Sequence, residues 1–258
     1  PDDGAASEIA LDVALGKGVF FDVGSIWYDE LANAEMYYRY LNAGFRLAAT
    51  GGSDNFADVW RDPPPGTART YARLDGPLTM PAWLEAIRAG RTFATTGPLL
   101  FLDVNGVGPG AQIDATVDEL AITLEVASIT PLDRVEIIAN GEVIRTFDAR
   151  GSTGTLTIHA SVSLPRGGWV SGRAIGPVAR PLSDSYAFAQ TSPVWVTHED
   201  NPYRNPADAQ FLAEMVRAYW RRLDQRGRFA SKAEHERIRA AVETAITRYE
   251  DIAAQARQ

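Results

Sequence analysis

The sequence predicts an α/β-plus-all-β chain: a β–α–β opening, an antiparallel β-sandwich in the middle and a helical hairpin at the end. Three observations carry this. Apolar residues alternate with polar ones through much of residues 91–196, and from Asn205 onward they recur at spacings of three and four. Between the opening and the sandwich stand Pro63, Pro64 and Pro65, which neither a helix interior nor a central strand accepts.

The opening reads from "GVFFDVGS" (residues 18–25), a mostly apolar run expected to be a strand buried on both faces and ending at Gly24-Ser25. Asn33 is then placed to cap a helix with Tyr37, Tyr40 and Leu41 on one side and Gly44 as its left-handed stop. "FRLAAT" (residues 45–50) returns as a second strand that runs into Gly51-Gly52-Ser53-Asp54. A helix between two strands makes them parallel, so Asp22, Ser25 and Asp54 fall at strand C-terminal ends, where such units collect functional side chains. After the prolines, Thr79 caps one more helix, with Pro81 in its first turn, Trp83, Leu84 and Ile87 buried, and Gly90 as its end.

In the middle of the chain "LAITLEVASI" alternates, and "RVEIIANGEVIRTF" is two strands joined by Asn140-Gly141, a strong hairpin signal. "TLTIHASVSL" sets Leu156, Ile158, Ala160 and Val162 on one face, with Thr157, His159 and Ser161 on the other. "GWVSGRAIG" and "YAFAQTSPVWV" add further strands, and many short strands with turns between them make a sandwich. The tail begins at an Asn205 cap followed by Pro206, with a stripe of Leu212, Met215, Val216, Tyr219 and Leu223 and a break at Gly227. Ser231 and Glu234 form a capping box for the last helix, striped by Ile238, Val242, Ala245, Tyr249 and Ile252. The divisions expected are residues 1–90, 91–200 and 201–258.

A net charge of -8 argues against nucleic acid and anionic membranes as partners, since both select a basic surface. The 11 basic against 8 acidic residues beyond Asn201 lie in helical patterns of mixed sign and read as solvated helix faces. With no cysteine, disulfides, thiol nucleophiles and iron–sulfur clusters are excluded. No apolar run has the length of a membrane span. The sequence starts at Pro1 inside an acidic, Gly/Ala-rich stretch, which suggests a piece or a processed product.

Three histidines limit the chemistry. His159 is expected on a polar strand face and His235 in a helix's first turn; both read as surface residues. His198 opens "HED", but neighbouring side chains of an extended segment diverge, so His198, Glu199 and Asp200 do not chelate one ion easily. No H-x-H, H-E-x-x-H or G-x-S-x-G occurs, and "NGVGPG" lacks the Lys-Ser/Thr of a phosphate loop and reads as a turn. Tyr28, Tyr37, Tyr38 and Tyr40 read as core packing in preference to a stacking platform. Asp54 stays open between a metal ligand and the first residue of an Asx turn.

In order along the chain, "VALGKGVFFDVGS", "YYRYLNAGFRLAATGGSDNF", "GTARTYARLDG", "WLEAIRAGRTFATTGPLLFLDVNGVGPG", "LDRVEIIANGEVI" and "AQTSPVWV" resemble the C-terminal part of a CehA/McbA-type metallohydrolase, a family of the PHP (polymerase and histidinol phosphatase) superfamily. The resemblance runs from about Glu8 to Val196. It implies the terminal β/α units of a distorted barrel that binds divalent ions of the Mn, Zn or Fe class at its C-terminal mouth, with a β-sandwich after it. The activity implied is hydrolysis of phosphoester, carbamate or related bonds in a small-molecule substrate, and Asp54 is implied as a metal ligand. Phe56 stands where many members have a further histidine ligand, and the H-x-H strands would lie before Pro1. The expectation is therefore that this chain alone binds no such ion tightly and is inactive, and that an exposed barrel edge or the helical hairpin pairs with a second copy. The rival reading is a non-catalytic β-sandwich binding or assembly module.

Overall fold

The computed structural model describes residues 4–25, 29–56, 63–114, 119–198 and 202–256. It is a mixed helix-and-sheet protein with a large, mainly antiparallel sheet and two long C-terminal helices. The chain divides into two compact units that do not follow chain order: residues 20–38 and 46–202 form one, and residues 1–19, 39–45 and 203–258 the other.

In the first unit, β1 (Phe20–Ser25) pairs in parallel with β2 (Ala48–Gly52). β1 is not buried on both faces as its composition suggests: Phe20 is exposed, and within the strand only Val23 and Gly24 are buried. Between them α2 (Glu30–Asn42) begins before Asn33, because Asp29 caps it by accepting from the Ala32 N–H at 2.9 Å.

The unsatisfied edge of β2 is closed in an unusual way. Ala49 N–H donates to Ser192 Oγ at 2.8 Å, and Ala49 O accepts from Thr92 Oγ1 at 2.8 Å. Gly51 N–H donates to Thr70 Oγ1 at 2.9 Å, and Gly51 O accepts from the same hydroxyl at 2.9 Å. Side-chain hydroxyls thus do for β2 what a neighbouring strand's backbone does elsewhere.

The large sheet comprises β3 (Arg69–Ala72), β4 (Thr92–Thr95), β5 (Leu99–Val104), β6 (Gln112–Asp114), β7 (Leu120–Ala139), β8 (Glu142–Val162), β9 (Gly168–Gly176), β10 (Ala187–Thr191) and β11 (Val194–Thr197). Its path runs β3-β4-β10-β9-β11-β6, with β7 joining β9 to β5 and β8. Helix α3 (Met80–Arg88) stands between β3 and β4, capped by Thr79 and stopped at Gly90, but Leu84 is exposed where the stripe predicts burial.

The residues expected to form a sandwich form one large sheet that doubles over. β7, read in sequence as two strands, is a single 20-residue strand. Its first half pairs with β5 and its second half with β9, and the pairing with β8 shifts register between Ser128 and Arg134. Across the fold, a Cβ built on Gly172 of β9 would stand 2.5 Å from Leu124 Cδ2 of β7. The two layers therefore meet around one core that includes Leu100, Leu124, Ile137, Val170 and Ala189. The opposite face of β9 lies under α2: Tyr38 packs on Trp169 at 5.2 Å between ring centroids and donates to Gln190 Oε1 at 2.7 Å. Covered on both sides, β9 is buried at every residue and shows no alternation.

On that covered face Glu136, Arg173 and Gln190 stand in register on β7, β9 and β10. Glu136 accepts from Arg173 Nε at 2.6 Å and from Arg134 Nε at 2.8 Å.

The second unit is helical. α1 (Gly4–Ala14), which the Gly/Ala-rich opening hides from sequence reading, joins α4 (Pro206–Arg226), α5 (Lys232–Gln255) and the last turn of α2. That turn ends in a Schellman cap, with Phe45 N–H donating to Tyr40 O and Gly44 at φ +88°. Tyr249 is fully buried and donates to Ala10 O at 2.8 Å, and Asp208 accepts from both Arg39 and Asn42. The Asn205 cap, the Gly227 stop and the Ser231 cap form as the sequence predicts, while Glu234 accepts from the Ala230 N–H at 2.6 Å, one residue before the donor a capping box uses. No helix is long and apolar enough to cross a membrane among the described residues.

Candidate functional site

The parallel β1–β2 pair carries the predicted site residues to one end. Register sets Asp22 opposite Thr50 and Ser25 opposite Gly52. Asp22 accepts a hydrogen bond from the Thr50 hydroxyl, and a Cβ on Gly52 would lie 3.9 Å from Asp22 Oδ2. The chain then leaves the strand through Ser53 and turns at Asp54, which is exposed and has φ +43°, a conformation that Asp tolerates better than most residues.

Ser53 and Asn55, on either side of Asp54, tie down the proline connection. Ser53 Oγ accepts from Gly66 N–H at 2.9 Å, and Asn55 Nδ2 donates to Pro63 O at 2.6 Å. The motif thus has an architectural use alongside any chemical one. Phe56, next to it, is 75% exposed. Among the described residues no three His, Asp or Glu side chains converge as a metal site requires, so these residues do not by themselves fit a divalent ion.

The histidines stand apart from this end. His159 is exposed on β8 beside Thr123, as expected. His235 contacts Asp224 Oδ1 at 2.6 Å and lies among the rings of Trp220 and Phe229. His198 is half-buried just after β11; Glu199 and Asp200 lie outside the described residues, as does Tyr28. Tyr37, Tyr38 and Tyr40 are all buried, in keeping with core packing.

Two features escaped the sequence. Glu30, in the first turn of α2, is 1% exposed, and its Oε1 has no hydrogen-bond partner. Burial, and then the nearby Asp184 carboxylate, push its pKa from 4.5 up to about 7, against a lowering backbone hydrogen bond. Below pH 4.5 the group is protonated whether the chain is folded or not. As pH rises toward 7 the unfolded chain releases this proton first, so stability falls across that window, by roughly 3 kcal/mol. Glu30→Gln is expected to remove that fall and to stabilise the protein at pH 8 while leaving pH 4 unchanged. Denaturation midpoints of both proteins across this range provide the check, and parallel profiles would contradict it.

The second feature is a cleft of about 520 Å³ on the large sheet, lined by Tyr71, Arg73, Asp75, Arg91, Phe93 and Phe101 together with the 106–109 turn. Tyr71 and Phe93 are directly opposed on β3 and β4, and their rings stack at 4.9 Å and 5°. Phe101 meets Phe93 edge-on at 5.6 Å. Asn105 and Gly106 both have positive φ and close the turn beside it, the role expected of "NGVGPG". The strand that brings Tyr71 here lies just past the prolines, where the sequence suggests only an extended connection.

No family model matches the chain, and no curated protein sequence does. A solved structure that it resembles is a lytic polysaccharide monooxygenase of Jonesia denitrificans, determined by neutron crystallography. The two are 19% identical over 57% of this chain and 87% of that one, with a TM-score of 0.26, too slight a likeness to carry an inference.

Proposed function

We propose that this chain is the C-terminal part of a metal-dependent hydrolase of the CehA/McbA type, acting on phosphoester, carbamate or related bonds. In this reading β1, α2 and β2 are the last β/α units of a PHP-type distorted barrel. The observation that supports it is the parallel β1–β2 pair, whose register gathers Asp22, Ser25 and the turn bearing Asp54 at strand C-terminal ends. Asp54 contributes one ligand to a divalent ion whose other ligands come from outside this sequence. Asp22, held by Thr50, orients that end of the pair.

The test uses the longer protein beside the present chain. Dialysed and analysed for metal, the chain alone is expected to carry no stoichiometric Mn²⁺ or Zn²⁺ and to leave aryl phosphates and aryl carbamates intact. The longer protein should carry metal and hydrolyse them, and Asp54→Ala should lower both together. A longer protein that keeps full activity and metal after that substitution returns Asp54 to a turn residue.

A second reading, a non-catalytic binding module, is favoured by the aromatic cleft, which lies on the sheet and involves none of the Asp54 residues.

A further inference from the structure

The cleft's walls specify what would fill it. Tyr71 and Phe101 are 42% and 51% exposed, large fractions for rings held in a packed aromatic row. Phe93 between them is 8% exposed and fixes both. A volume of about 520 Å³ is within the size range of small-molecule sites. The cleft therefore offers rigid ring faces and edges to a planar, apolar body.

Its polar groups are few and uneven. Arg91 donates to Asp75 through Nη1 at 3.2 Å, while its Nε is buried without a partner. Arg73 approaches Asp75 only at 3.9 Å, on a side chain that is 73% exposed. Two guanidinium groups thus face one carboxylate, a local positive excess on a protein of net charge -8. A carboxylate in the cleft would meet the exposed part of the Arg91 guanidinium and the largely exposed Arg73 in the charge-assisted contacts that guanidinium favours. Thr92, the only hydroxyl among the described lining residues besides Tyr71, is already bonded to Ala49 O and to Ser192 Oγ, which leaves the charged groups as the main polar contacts.

We infer that this cleft binds a small aromatic carboxylate, its ring stacked along Tyr71 and Phe101 and its anionic head on Arg91. The inference rests on the binding-module reading and is independent of Asp54 and of metal.

Three probes with one body separate the possibilities: biphenyl-4-carboxylate, biphenyl-4-methanol and biphenyl-4-methylamine, titrated into the protein by NMR. The carboxylate is expected to bind one-to-one and saturably at roughly millimolar concentration or better, with the cationic amine at least tenfold weaker. Arg91→Met should weaken the carboxylate about tenfold or more and leave the alcohol unchanged, which shows the cleft intact. Arg91→Lys should restore only part of the loss, and Phe101→Ala should weaken both carboxylate and alcohol. Equal binding of all three probes, or a carboxylate affinity indifferent to Arg91→Met, overturns the anion's role while leaving a binding cleft. Saturation by none of them overturns the site and removes the support for the binding-module reading.

Discussion

Gly110→Ala is expected to destabilise the protein by about 3 kcal/mol or more, through two independent penalties. Gly110 has φ +85°, where any Cβ is strained, and a Cβ built there falls 2.0 Å from Ala89 O. That oxygen belongs to the backbone at the end of α3, and the same Cβ would fall 2.9 Å from Gly90 C and 3.0 Å from Ala89 C, so no side-chain rotation relieves the overlap. Gly106 supplies the comparison. It has the same φ of +85° but nothing within 4 Å of its Cβ position, so Gly106→Ala should cost only the conformational term, about 1 kcal/mol. Urea denaturation of the two variants measures the difference. Equal losses would mean that the Ala89 carbonyl moves aside freely.

Glu136→Ala is the second large effect, about 3–5 kcal/mol, because it leaves Arg173 charged, buried and without its counter-ion. The two side chains are 6% and 10% exposed, and their strands place them directly opposite each other. Arg134 would also lose its 2.8 Å partner, though with a more exposed side chain it can turn to water. The loss comes from stranding a charge, so replacing the pair together, Glu136→Leu with Arg173→Met, should recover most of it. Denaturation of the two single variants and the double one gives the coupling directly. A double variant as unstable as Glu136→Ala would instead point to Gln190, within this row, and Tyr38, bonded to Gln190, as the groups that need the charges.

How much of this was legible depended on whether a strand had one wet face. β7 and the second half of β8 do, and residues 120–128 and 156–162 alternate as the sequence foretells. β9 has none, since α2 covers one side and the core the other, so Ser171 and Arg173 are as buried as Val170 and Ala174 and their polarity points to a wet face that does not exist. The helix caps at Thr79, Asn205 and Ser231 were readable because capping needs a particular side chain at a particular place. α1 was not: Ala10 and Ala14, among its buried contacts, are too small and too common to mark a stripe. At the candidate site the parallel pair was legible, while the doubled sheet, the aromatic row and Glu30 were not. Each of these arises from residues distant in sequence, such as Tyr71 with Phe101 or Glu30 with Asp184, which no local pattern links.

The hydroxyls along β2 carry a consequence for how this sequence can change. On strands, threonine and valine have the same shape, and by β-propensity the exchange is close to free. At Thr70 and Thr92 it is not: valine there would fill the same space and leave Gly51 or Ala49 with a mute neighbour. Ser192, which sits in no strand at all, is bound by the same rule. Related chains that keep β2 in this place should therefore hold hydroxyl side chains at these three positions whatever happens to the apolar residues around them. A chain that loses them must find β2 another strand to lie against. Three small polar residues, chosen for an oxygen and not for their bulk, thus become the part of the sequence by which this β1–β2 arrangement can be recognised.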